Sequence, residues 1–178
     1  MEFVDPIYDA KDIDRMRKAI KRQVNGERNL MIFELGLATA LRPQDLLDLT
    51  VKDVKNGLVK GRSNKKNKEF VIRLNDRVVS LVRAYVDSMD DDEKLFPIHR
   101  TTAYRFLKKA ADDIGLEENI GAHSLRKTKA YHMYTSGETK NDLALIMELL
   151  QHDEAGSTLR YIGYQKEVLN DKLSAHDL

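Results

Sequence analysis

The segment Gly121-Ala-His123-Ser-Leu-Arg126-Lys-Thr128 sets an imidazole and a guanidinium three residues apart, a spacing that brings both to one face of a helix. At the start of a helix both would stand beside free backbone N–H groups, which attract anions. A guanidinium stays charged and grips two phosphate oxygens at once, and an imidazole titrates near neutral pH. By itself the pair reads more simply as a surface ion-pairing face. Three further positions carry the same double reading. Arg42 ends an apolar run just before Pro43, where an arginine usually caps or pairs. His152 closes Leu149-Leu150-Gln151-His152, where a histidine usually caps a helix through its dipole. Tyr161 lies nine residues beyond that histidine. Its phenol has a reference pKa of about 10, so as a nucleophile it would need a base or a cationic setting; alone it reads as half-buried core. Tyr131, His132 and Tyr134 read as core or surface.

Other chemistries lose their usual support. There is no GxxxxGK[ST], no GxGxxG before a helix, no HExxH and no GxSxG, which speaks against nucleotide-driven, zinc-peptidase and α/β-hydrolase readings. The run Asp87 to Glu93 lacks the glycine and ligand spacing of a calcium loop and reads as a solvated acidic loop. With no cysteine there is no disulfide and no thiolate ligand or nucleophile, so the cytosol is the default compartment. No stretch approaches the roughly 18 apolar residues of a membrane span, and the N-terminus has no leader-like pattern. A net charge of +1 makes no overall case for nucleic acid. The distribution does, because Lys60, Arg62, Lys65, Lys66, Lys68 and Arg73 fall in one stretch interrupted by Glu69 alone.

These side chains need a scaffold, and 178 residues suit one domain. Ile13, Met16, Ile20 and Val24 recur with the helical period and predict an amphipathic helix over Asp12 to Val24. Asn29 to Ala40 is apolar nearly all round, as a buried helix is, and Arg42-Pro43 ends it. Pro43 then opens a short helix, PQDLLDL. From Val51 to Leu74 the pattern changes to β-branched runs with turn signals, which predicts a small antiparallel sheet with Asn64 to Asn67 at a hairpin tip. Helical patterns resume over Arg77 to Met89, Thr101 to Ile114, Ser124 to Thr135, Lys140 to Leu150 and Ser157 to Leu173. The expected fold is mainly α with a small antiparallel β-sheet, the acidic run Asp87 to Glu93 forming an exposed loop between two halves.

Taken together, TALRPQD around Arg42, the Lys-rich hairpin, HSLRKT, LLQH and the tyrosine that follows resemble the tyrosine recombinase (phage integrase) family over nearly the whole chain. The order Arg, Lys, HxxR, His, Tyr is the family's. Its usual TGLR is here TALR, with Asp45 as the acidic residue three positions on. Lys127 stands where HxLRHT has its second histidine, and Gln151 replaces the glycine of LLGH. Counting from the arginine places the family's hairpin lysine at Lys65, with Lys66 as competitor. The nucleophile's place falls on Tyr161, with Tyr164 one turn later.

The resemblance implies a recombinase catalytic-domain fold and metal-free, cofactor-free cleavage of double-stranded DNA. Arg42 and Arg126 would clamp the scissile phosphate, with His123 and His152 as supporting donors or proton shuttles. Tyr161 would form a 3′-phosphotyrosine and Lys65 would protonate the departing 5′ oxygen. Arg62, Lys66 and Lys68 are the further DNA-binding candidates. The family's upstream helical DNA clamp is expected to be absent, whether by truncation or in a naturally short member. Residues 1–178 are read as a single catalytic domain whose tail, 162–178, packs in cis or on a neighbouring protomer. A monomer in solution, assembling to a tetramer on DNA, is expected. The competing readings are a type IB topoisomerase, which rejoins the same strand, and a non-catalytic DNA-binding regulator.

Overall fold

The computed structural model describes residues 4–136 and 142–162, and the chain divides into two compact units, Met1–Lys129 and Ala130–Leu178. No helix among the described residues is long and apolar enough to cross a membrane.

In the first unit, α1 (Ala10–Lys21) begins where the Asp9 carboxylate accepts from Lys11 N–H at 2.8 Å. It carries Lys18 and Lys21 at its negative end. Met16, Ala19 and Ile20 turn inward. The helix stops a turn short of the predicted end, so Val24 leaves the apolar face and is 86% exposed. Asn25 turns the chain at φ +59° into α2 (Gly26–Thr39), whose Ile32, Phe33 and Leu35 form the centre of the core. Glu34 is buried on the same helix between two guanidiniums: Arg17 Nε lies 2.7 Å from Oε1 and Arg77 Nη2 2.6 Å from Oε2. Burial pushes this carboxyl up, but the hydrogen bonds and charges of Arg77 and Arg17 outweigh it and hold Glu34 below its ordinary value.

The short helix α3 (Pro43–Leu47) follows, with Arg42 extended at its N-cap and proline in the first turn. Val51 to Gly57, included in the region of predicted sheet, instead forms short 3-10 turns broken by a kink at Lys55 and Asn56. Thr50 and Asp53 form a reciprocal capping box there, which outweighs the β-branched pattern. The sheet is thus a single hairpin, β1 (Leu58–Arg62) and β2 (Glu69–Arg73), antiparallel with Lys60 opposite Val71. Then come α4 (Asp76–Val86) and α5 (Arg100–Asp113), with Phe106 and Leu107 in the core. The acidic run between them is fastened to the 3-10 segment: Lys52 pairs with Asp92 at 2.6 Å and Lys55 with Asp91. It is exposed but lies inside the first unit. The division between units falls within the next helix, α6 (Ala122–Thr135).

The second unit holds the end of α6, then α7 (Leu143–Leu150) and α8 (Ala155–Tyr161). Ala130, Ile146, Leu150 and Ile162 form its core, with Tyr131, Tyr134, Leu159 and Tyr161 packed against them. The predicted extensions of α7 to Lys140 and of α8 to Leu173, together with Tyr164 and the tail, lie outside the described residues.

Candidate active site

Arg42 and Arg126 are brought together by the end of α2. Ala40 closes that helix in the left-handed conformation, φ +51°. Its carbonyl, two residues before Arg42, accepts a hydrogen bond from Arg126 Nη1. Close packing of α6 on α2 makes this reach feasible, since a Cβ on Gly36 would come within 2.5 Å of Leu125 Cδ1. Arg126 is 4% exposed, so its charge sits in a poorly solvated place and its orientation is set by the protein.

His123 lies one turn earlier on α6 and remains open to solvent. Partial desolvation of the ring, then the charges of Arg126, Lys127, Arg42 and Arg100, hold its imidazole below the ordinary value of 6.5. The ring is therefore neutral near pH 7, able to donate through one nitrogen and accept through the other. An arriving phosphodiester anion would favour its protonated form.

The hairpin is bonded to α3. Arg42 Nη1 donates to Ser63 Oγ at 3.2 Å. Asn64, the residue before Lys65, donates from its backbone N–H and its Nδ2 to Asp45 Oδ1 at 2.9 and 3.0 Å, and from Nδ2 to Asp48 Oδ2 at 3.0 Å. Asn67 N–H on Ser63 O, at 2.8 Å, closes the tip. Lys65 and Lys68 are exposed on this turn and Lys66 is half-buried. Arg62 is engaged with Glu69 at 3.0 Å and with Asn67 Oδ1 at 3.3 Å.

The second unit holds the other two predicted residues side by side. Gln151 ends α7 at φ +51°, and His152 N–H donates to Met147 O at 2.9 Å. The His152 Nδ1 lies 3.1 Å from the hydroxyl of Thr158, a fully buried residue, and the ring stands edge-on to Tyr161, centroids 5.2 Å apart at 87°. Tyr161 is half-buried at the last position of α8.

Sequence reading missed the supporting groups. Ser63, Asn64 and Thr158 act through bonds that no local pattern encodes. Arg100 is recognisable only once folding sets its charge near His123.

In the first unit a guanidinium pair stands near a neutral histidine and a lysine-bearing hairpin, a set suited to an anion, and the second unit by itself holds a His-Tyr pair. The model of the phage integrase family matches residues 7–167, and the chain belongs to that family. It is 33% identical over 179 residues to the probable integrase/recombinase YoeC of Bacillus subtilis, covering 94% of each chain. It is 28% identical over 155 residues to the tyrosine recombinase XerA of Saccharolobus solfataricus, with 86% of this chain covered, and it spans 50% of that longer relative. The crystal structure of XerA recombinase shares the fold with a TM-score of 0.73 at 22% identity, covering 100% of this chain and 66% of that one.

Proposed function

We propose that this chain is the catalytic domain of a site-specific DNA recombinase, cutting and rejoining strands through a phosphotyrosine on Tyr161. The observation that supports the reading is the bond from Arg126 to the Ala40 carbonyl, two residues before Arg42. Arg42 and Arg126 neutralise the nonbridging oxygens, and His123 adds a hydrogen bond to them. The Tyr161 oxygen attacks phosphorus, and its proton passes to an imidazole, for which His152 and His123 are the candidates. The bond to the 5′ oxygen breaks as Lys65 protonates it. A 5′ hydroxyl of another strand then attacks the phosphotyrosine and releases the phenol, so the energy of the phosphodiester is conserved without nucleotide hydrolysis.

Double-stranded DNA is the partner. Lys66 and Lys68 beside Lys65, together with Arg62, are proposed to contact the sugar-phosphate backbone, fixing register without reading sequence. Assembly from a solution monomer to a tetramer on DNA is the quaternary arrangement that strand exchange between two duplexes calls for. The test is a pair of labelled duplexes carrying the target site. Exchange of label between them is expected. Relaxation of supercoiled DNA without exchange would point to a topoisomerase, and binding without a covalent complex to a regulator.

A further inference from the structure

The segment ahead of α1 is bonded to the turn and helix that carry His123 and Arg126. Asp5 N–H donates to Asn119 O at 2.9 Å, and Asn119 N–H returns to Asp5 Oδ2 at 3.1 Å. Ile7 N–H donates to Thr128 Oγ1 at 2.9 Å, and that hydroxyl donates onward to Ser124 O at 2.7 Å. Val4 packs so closely that a Cβ on Gly121 would come within 3.1 Å of its Cγ1. Ile7 is fully buried and Val4 nearly so. The strap is closed by Lys127, whose Nζ donates to the Val4 carbonyl at 2.7 Å.

We infer that Lys127 is a positioning residue of the phosphate clamp, locking residues 4–7 onto the first turns of α6 and thereby fixing His123 and Arg126. At 7% exposure, an ammonium group is costly to bury unless it is hydrogen-bonded. Burial pushes its pKa below the ordinary lysine value, with Asp5 acting in the opposite sense. The bonds of Asp5, Ile7 and Lys127 span Asn119 to Thr128, so they bracket both clamp residues. Releasing the strap lets the start of α6 shift while its packing through Leu125 on α2 remains. A misplacement of about 1 Å at a positioning group can cost about a hundredfold in rate.

This inference rests on the recombinase reading, and the test separates the two. Lys127→Met keeps the unbranched stem and loses the donor; Thr128→Val keeps the shape and removes the acceptor for Ile7. Amide exchange should quicken at residues 4–7 and 121–128 in both variants, with α2 unchanged. On a nicked DNA substrate at saturating concentration, covalent-complex formation should slow by roughly tenfold or more with DNA affinity preserved. The two losses should not add in the double variant. Unchanged exchange at 4–7 in Lys127→Met, or full-rate cleavage by Thr128→Val, would mean that Lys127 does not act through the strap and would overturn the proposal. A wild-type chain that forms no covalent complex would refute the recombinase reading itself and, with it, a clamp for Lys127 to position.

Discussion

Asp45 on α3 holds Asn64, the residue before Lys65, by two hydrogen bonds to one carboxylate oxygen, at 2.9 and 3.0 Å. Asp45 is 5% exposed, so this is a poorly solvated charge satisfied in part by the hairpin, and the tip is anchored three residues from Arg42. Asn64→Ala removes the side-chain donor to Asp45 and to Asp48 while leaving the backbone donor. Stability should fall by about 1 kcal/mol, the usual net contribution of one hydrogen bond, read from chemical denaturation. The rate of DNA cleavage should fall further than the stability does, because the lysine loses its anchor; equal cleavage rates would separate the anchor from the chemistry.

If Lys65 protonates the departing oxygen, its loss is repaired by a leaving group that needs no proton. Lys65→Ala should cleave a normal phosphodiester at least about a hundredfold more slowly, within the usual range for general acid catalysis. A 5′-bridging sulfur at the scissile position should restore most of the rate. Rescue of Lys66→Ala instead would move the role one residue along the tip.

The family's glycines in TGLR and LLGH are replaced here by Ala40 and Gln151, and both residues sit at φ +51°. A left-handed conformation costs a residue with a Cβ about 1 to 2 kcal/mol. Gln151→Gly should therefore stabilise the second unit by about 1 kcal/mol, seen as slower exchange at the end of α7 and a higher unfolding midpoint. Ala40→Gly should be nearly neutral, because relief of strain is offset by losing a fully buried methyl worth about 0.8 kcal/mol. A destabilised Gln151→Gly would mean that the glutamine side chain contributes more than the strain costs.

His123 gives the fold a mild dependence on pH. Its folded pKa lies below 6.5, through desolvation and then the charges of Arg126, Lys127, Arg42 and Arg100. The unfolded chain thus binds more protons in the interval just below 6.5, so stability rises with pH across it. Full stability is present above the unfolded value and declines as pH falls toward the folded one. His123→Gln should flatten that part of the curve just below pH 6.5. An unaltered slope would place the proton uptake elsewhere.

The helical scaffold was legible because apolar residues recur with the helical period, and α2, apolar nearly all round, lies in the core as expected. The end of α1 was missed because Val24 fits the period yet follows the helix's last turn. The Val51 to Gly57 segment was missed because a Thr50–Asp53 capping box outweighs its β-branched residues. For the site, the order of Arg42, Lys65, His123, Arg126, His152 and Tyr161 could be read directly. The Asn64 anchor, the Lys127 strap and the His152–Thr158 bond could not, since each is a contact that only folding creates.

Tyr161 as the nucleophile is the central claim. The direct measurement traps the chain on a nicked duplex whose short 5′-hydroxyl fragment diffuses away, in EDTA, followed by mass spectrometry of the adducted peptide. A 3′-phosphate ester on Tyr161, absent from a Tyr161→Phe variant that still binds the same DNA, is predicted. An adduct on Tyr164, or cleavage that persists in Tyr161→Phe, would contradict it.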